Sequence, residues 1–309
     1  MIKLPLQQLR EIFGERLQEN VKLNNYTTTH VGGAVGAMMS INSASEMEFA
    51  LQNLWELDVP YHILGSGSNL LVSDSGYPGI ILHNRSHNVK INTKVDPPLI
   101  IAESGATLGQ VAQMASRRGV SGFEWANSIP GTVGGAVYGN AGAHGADVAG
   151  KLQSVLVISR EGGTQLLSNQ EMGYEYRSSK FKRERKPIVI LEATFVGEHA
   201  DPQASLDLLH ELTEKRKKTQ PVGPSFGSTF KNPPGNFAGK LLAEVGMKGE
   251  TCGGASFSKV HANFIVNHGD ATAQHYYCLI RRGQKRVKEQ FGIDLQLEIE
   301  LLGEFHDVE

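Results

Sequence analysis

The chain is poor in cysteine, with two, Cys252 and Cys278, in 309 residues. Two cannot build a disulfide framework, and their spacing matches neither a zinc site nor a redox motif. This composition predicts a reducing compartment. A dominant sign of charge is also missing. There are 30 Lys and Arg against 32 Asp and Glu, a net charge of −2, so no overall basic field recruits nucleic acid or an anionic membrane. The basic clusters at 180–186, 215–218 and 281–288 are local and read as solvated faces. No run approaches the roughly 18 apolar residues of a membrane span. The start, MIKLPLQQLREIFGERL, lacks an apolar signal core. The chain therefore reads as soluble and cytoplasmic, with no nucleic-acid or membrane partner. Common catalytic signatures are absent too. Gly150-Lys151 and Gly239-Lys240 are each followed by Leu, which excludes a Walker sequence, and there is no G-x-S-x-G elbow. The 11 histidines show no H-x-x-x-H spacing, so no metal site is expected.

Glycine is what the chain has in quantity, 35 residues in all. Six fall in Gly131–Gly145, GTVGGAVYGNAGAHG, where average usage predicts about one. Backbone there must approach something closely or take positive φ repeatedly. Val133, Ala136, Val137 and Ala141 are interleaved, which excludes a flexible linker. A close fit around a planar or phosphorylated ligand explains the stretch; tight turns without a ligand are the alternative.

Length allows about two domains. Apolar spacing predicts helices over 6–17, 44–57, with Ser43 or Ser45 as cap, and 107–118, ending at Gly119. Tyr26–Gly36 reads as a strand entering a glycine turn. Further strands are predicted at 62–64, 79–82, 99–103, 153–159 and 188–196. A boundary falls near 197–202, where Asp201 caps a helix that starts at Pro202 and runs to about Lys218. Beyond it come a short helix at 236–245, a strand at 263–267 and an amphipathic helix at 271–290. The last strand, 295–302, alternates strictly, with Leu295, Leu297, Ile299 and Leu301 on one face and Glu298 on the other. No βαβ period appears, so the class is α+β.

Four stretches could carry chemistry. Gly65-Ser66-Gly67-Ser68-Asn69-Leu70 begins like a dinucleotide fingerprint but has Leu where the third glycine belongs. It suits an anion nest of backbone N–H groups and short polar side chains, or a plain Gly-Ser turn. Ser228, in GSTFKNP, could relay a proton or be a turn serine. Arg177, among Tyr174, Tyr176 and Ser178, could hold an anion bidentately or only stack on tyrosine. Glu298 could act chemically or be a solvated strand carboxylate.

Taken together, seven ordered blocks resemble the bacterial UDP-N-acetylenolpyruvoylglucosamine reductases over nearly the whole chain. They are YTTTHVGG at Tyr26, LGSGSNLLV at Leu64, IPGTVGGAVYGNAGAHG at Ile129, YRSSKF at Tyr176, GSTFKNP at Gly227, GGASFSKVHANFIVN at Gly253 and FGIDLQLEIELLG at Phe291. The resemblance implies a vanillyl-alcohol-oxidase-type FAD-binding region over 1–200, made of two α+β subdomains split near 84. It implies a smaller α+β substrate-binding domain over 201–309, whose last strand and tail return to the flavin. FAD would be held non-covalently by Gly65, Ser66, Gly67, Ser68, Asn69, Leu70, Pro130, Gly131, Thr132, Gly134, Gly135, Asn140, Ala141 and Gly142. NADPH would be the hydride source and the enolpyruvyl ether of UDP-N-acetylglucosamine the acceptor, giving UDP-N-acetylmuramate for peptidoglycan precursors. Arg177 and Glu298 would stabilise an aci-carboxylate, and Ser228 would protonate the adjacent carbon. Tyr176, Lys218 and Asn232 would bind the UDP-sugar. A monomer of the family's shorter form is implied.

The sequence departs from the family pattern at His30, Asn127-Ser128, Gly139, Lys259-Val260 and Gln296. These positions touch the flavin pocket and substrate rim and leave Arg177, Ser228 and Glu298 in place. The rival readings are an oxygen-reducing flavoenzyme of the same fold and a non-catalytic flavin- or UDP-sugar-binding protein.

Overall fold

The computed structural model describes residues 4–307. The first three residues of the N-terminal stretch and the last two of the tail lie outside the described residues. The chain forms two compact units, neither of them continuous in sequence. The first takes the residues up to Met38, then Ser66–Ile80, and everything from Lys217 onward. The second takes Met39–Gly65 and Ile81–Arg216. The divisions fall inside the strands Val35–Ile41 and Tyr77–Asn84 and inside the helix Pro202–Thr219.

The second unit is built on a five-stranded antiparallel sheet. Its order is Gly163–Ser168, Leu152–Ser159, Val189–Val196, Leu99–Glu103, Val89–Asn92. The central strand, Val189–Val196, is rich in β-branched and aromatic residues and alternates buried with half-buried positions along most of its length, as a sheet with one core face requires. Ala193 sits opposite both Ala102 and Val155, which fixes the register. The helix Leu108–Arg117 covers the core with Leu108, Val111, Ala112 and Ala115. Thr107 caps it by accepting from the Gln110 N–H at 3.1 Å. Phe123 packs edge-on against Phe195, ring centroids 5.0 Å apart, beside Trp125. The helix Ala44–Glu56 starts at Ser43, whose hydroxyl accepts from Glu46 N–H. Asp201 caps Pro202–Thr219 through Ala204 N–H at 2.9 Å.

The first unit has its own core, around Phe226, Phe230, Leu242, Phe257, Ile265 and Tyr276. A three-stranded antiparallel sheet, Thr251–Cys252, Ala255–Phe257 and Ile265–Asn267, packs on the helix Ala273–Phe291. Thr272 caps that helix, and the Asp74 carboxylate accepts from its first two N–H groups at 2.8 and 2.9 Å. Gly292, at φ +69°, ends it. The strand Glu300–Leu302 pairs in parallel with Leu70–Val72.

Two local expectations are corrected and a third is narrowed. Tyr26–Gly36 is not a strand: a 3₁₀ turn at Leu23–Asn25 is followed by further turns, and extended structure starts only at Val35. Thr27 Oγ1 donates to Val31 O at 2.8 Å, and His30 (φ +57°) and Gly32 (φ +137°) bend the chain. Hydroxyls bonding to nearby backbone outcompete the β preference of a Thr run. In Gly131–Gly145 close approach, at Gly134 and Gly142, and not repeated positive φ is the rule. Only Gly131 and Gly145 among its glycines have positive φ, because Val133–Gly139 is a helix and Gly142–Ala143 pairs with Ala146–Asp147. Finally, 295–302 is strand only at Glu300–Leu302, after a bridge at Leu297 and bends at Glu298 and Ile299. Leu295 and Ile299 are buried while Leu301 is exposed, so the alternation fails at its end.

Candidate active site

In the second unit, Gly65 ends the strand Tyr61–Leu64 against Thr132. A methyl group built on Gly65 would stand 2.5 Å from Thr132 Oγ1, so only glycine allows this approach. Thr132 precedes the helix Val133–Gly139, and Gly131 O accepts from Leu108 N–H at 3.1 Å, anchoring Pro130-Gly131. Gly134 packs tightly, with an added methyl 3.0 Å from Ser104 Cβ. Gly135 and Gly139, one turn apart, differ: added methyls there meet nothing closer than 3.9 Å. The helix thus carries a bare backbone strip whose openness owes nothing to packing. Asn140 ends it in the left-handed region at φ 50° and is 2% exposed. Its side chain donates to Asp147 Oδ2 and Glu175 O and accepts from Ala149 N–H. Asn140 therefore fixes the Ala141–Gly142 turn.

Arg177 sits at φ +52° in a tight turn closed by paired hydrogen bonds between Glu175 and Ser178. Its guanidinium lies 5.0 Å from the Tyr176 ring centroid and donates to Gly142 O and Asn140 O. Tyr176 itself is half exposed. Arg216 is close enough that burial, and then the Arg177 charge, weaken its hold on its proton. Burial, with Lys215 and Arg216, pushes His144 below its ordinary value. Three cations converge around the 140–145 turn, an arrangement that favours an anion. Sequence reasoning missed Arg216; its only signal was membership of the 215–218 cluster, from which Lys218 was selected.

In the first unit, Gly67 takes φ +61°, where a methyl would clash with Tyr26 O at 2.1 Å. Ser66 and Ser68 are half buried in the same turn, Asn69 is exposed and Leu70 is buried. Asn69 ties this turn to Glu298: its Nδ2 donates to Glu298 O at 3.1 Å, and its O accepts from Glu300 N–H at 2.9 Å. Glu298 N–H donates in turn to Thr229 O at 2.9 Å, and Phe230 bridges Leu297. Glu298 is therefore the cross-strand neighbour of Thr229, one residue from Ser228. Ser228 bridges Phe264 on its other side and follows Gly227, at φ +80°. Asn263, also missed, locks this segment. Its amide accepts from Phe230 N–H at 2.9 Å and donates to Phe230 O at 2.8 Å, and its own O accepts from Thr229 N–H. The structure thus brings Ser228, Glu298 and Asn69 together within one unit and places Arg177 in the other. Lys218 is exposed near the end of its helix, and Asn232 Oδ1 accepts from Ala238 N–H at 3.0 Å.

Within the second unit, the open strip at Gly135 and Gly139 leaves backbone bare for a flat ligand. Residues 35–166 match the FAD binding domain family. The fold and this site define an α+β flavoprotein with an FAD-binding domain. Residues 217–302 match the family described as UDP-N-acetylenolpyruvoylglucosamine reductase, C-terminal domain. The chain is 41% identical over 292 residues to the UDP-N-acetylenolpyruvoylglucosamine reductase of Shouchella clausii, spanning 93% of this chain and 91% of that one. It is 38% identical to the enzyme of that name from Caldanaerobacter subterraneus subsp. tengcongensis, over 98% of this chain and all of that one. The crystal structure of UDP-N-acetylenolpyruvylglucosamine reductase from Thermus caldophilus superposes with a TM-score of 0.78 at 33% identity, covering 92% of this chain and 98% of that one. Phl p 4.0202, a glucose dehydrogenase, shares the fold alone, with a TM-score of 0.50 at 14% identity over 63% of this chain and 43% of that one. The chain belongs to the UDP-N-acetylenolpyruvoylglucosamine reductase family and is an FAD-dependent oxidoreductase. Among the described residues, no helix is long and apolar enough to cross a membrane.

Proposed function

We propose that the protein reduces the enolpyruvyl ether of UDP-N-acetylglucosamine to UDP-N-acetylmuramate, with NADPH as co-substrate, as a cytoplasmic monomer in peptidoglycan precursor synthesis. Bound FAD would supply the hydride-transfer chemistry between NADPH and the enolpyruvyl group. The chain's own work is to hold the substrate, meet the developing charge and deliver one proton. Gly65–Leu70 and the 130–142 stretch hold the cofactor, the first with backbone N–H groups and short hydroxyls, the second with its bare helical face. We assign the FAD-binding region to 1–200 and the substrate-binding region to 201–309.

Hydride addition to the terminal enolpyruvyl carbon builds negative charge on the substrate carboxylate. A guanidinium is the natural complement, and Arg177 is the cation we assign, with Glu298, protonated or orienting a water, donating to the same oxygens. Ser228 delivers the proton to the neighbouring carbon. Tyr176, Lys218 and Asn232 bind the UDP-sugar. The observation that supports this reading is that Glu298 bonds through its backbone to Thr229, next to Ser228, with Asn69 of the glycine turn tied to the same residue.

Anaerobic stopped-flow absorbance tests it. Flavin reduced by NADPH should be reoxidised rapidly by the enolpyruvyl nucleotide-sugar. Reoxidation by oxygen alone would favour an oxidase of the same fold and refute the proposal. A protein that cannot be reconstituted with FAD would refute it as well.

A further inference from the structure

The two cysteines, far apart in sequence and without motif spacing, meet in the first unit. Cys252 closes the strand Thr251–Cys252 and Cys278 lies in the helix Ala273–Phe291, on which that strand packs. Both are free thiols and half buried, and Cys278 is near enough to help push the Cys252 thiol up. Arg282, one turn beyond Cys278, donates to its Sγ at 3.6 Å and also to Thr251 O at 3.2 Å, while Glu250 pairs with the same guanidinium. One guanidinium thus bridges Cys278 Sγ and the residue next to Cys252, which sets the two thiols side by side.

We propose that Cys252 and Cys278 form an oxidant-sensitive dithiol that closes into a disulfide on exposure to hydrogen peroxide. The Cys278 thiolate attacks one peroxide oxygen, the O–O bond breaks, and hydroxide leaves a sulfenic acid on Cys278. The Cys252 sulfur then attacks the sulfenic sulfur, forming the S–S bond and expelling a second hydroxide. The two thiol protons complete two waters. Both sulfurs are oxidised and the peroxide is reduced. Burial and the neighbouring thiol push the Cys252 thiol up to about 11, which suits the resolving role in which its proton is lost during attack. The chain holds no other cysteine, so no competing pair can form within it.

Denaturing intact-mass spectrometry of the holoenzyme after peroxide, with thiol titration, tests this. The expected result is loss of two hydrogens in mass, simultaneous loss of both titratable thiols, and recovery of both with dithiothreitol. The Cys252→Ser variant should instead gain one oxygen or a mixed disulfide when glutathione is present. Oxygen additions to the wild type without loss of two hydrogens, covalent dimers as the main product, or two thiols that remain titratable would each overturn the proposal. The wild-type mass alone decides the matter if the variant does not fold.

Discussion

Gly135→Ala tests whether the open strip of the helix Val133–Gly139 is the face proposed to hold the cofactor. The new methyl would meet no atom closer than 3.9 Å, the nearest being Thr132 Oγ1. Gly135 lies in the helix Val133–Gly139 and takes no positive φ, so alanine adopts its backbone freely. Replacing a helical glycine by alanine then stabilises the apoprotein by about 0.5 kcal/mol, or roughly 1–2 °C in Tm for a chain of this size. The same methyl on a face that holds a flat ring system forces the ring outward. Overpacking of this kind costs about 1–3 kcal/mol, which weakens FAD binding about 5- to 150-fold. Two measurements on one variant are required: thermal unfolding of the apoprotein, and FAD titration followed by flavin fluorescence quenching. Gly134→Ala is the control, because its methyl lies 3.0 Å from Ser104 Cβ and 3.1 Å from Ser104 O; that variant should lose stability even without FAD. A Gly135→Ala protein with wild-type FAD affinity would show that this strip does not face the cofactor, and the reasoning would fail.

Other outcomes follow from the same structure. Ser228→Ala should leave flavin reduction by NADPH nearly intact and slow transfer to the enolpyruvyl substrate by about 10²–10⁴-fold; equal loss in both half-reactions, read by stopped flow, would contradict the proton-delivery role. Asn140→Gly keeps the left-handed backbone accessible but removes three buried hydrogen bonds. It should cost about 2–4 kcal/mol in urea unfolding. His261 is held below its ordinary value mainly by burial, opposed by its own backbone bond and assisted by Lys248. Its Nδ1 accepts from Asn263 N–H at 3.2 Å, so the fold favours the neutral ring. The unfolded chain binds the proton more readily. The His261 contribution to stability is therefore complete above about pH 6.5 and is lost as the pH falls below it. Tm should rise between about pH 5 and 7, and His261→Gln should flatten part of that rise; an unchanged pH profile would refute the assignment.

What could be read from the sequence was local. Ser43, Thr107 and Asp201 each cap a helix where polar residues precede an apolar period, because capping depends on neighbours three residues away. The α+β class followed from element order. The misread stretches all depend on distant partners or on competing local bonds. Thr27 bonds Val31 instead of joining a ladder. The 295–302 segment keeps its alternation only until its Glu300–Leu302 end finds a parallel partner in Leu70–Val72. Asn263 carries no signal of its locking role, since Phe230 lies far away in sequence. Arg216 was hidden among four consecutive basic residues, and only the fold selects it as the neighbour of Arg177. The seven family blocks pointed to Ser228 and Glu298; the backbone bonds that couple them became visible only in three dimensions.

The interleaved make-up of the two units sets an order of assembly during synthesis. All strands and helices of the sheet-based unit have been translated by Arg216, whereas the other unit must still wait for its larger, C-terminal share. The early segments up to Met38 and around Ser66–Ile80 therefore emerge from the ribosome long before their companions exist. The turn bearing Gly67 and Asn69 has Thr28 as an early partner, but its bonds to residues 298–302 come only at the end of synthesis. A nascent chain stalled before that point would present a folded core carrying loose ends, a natural target for chaperones.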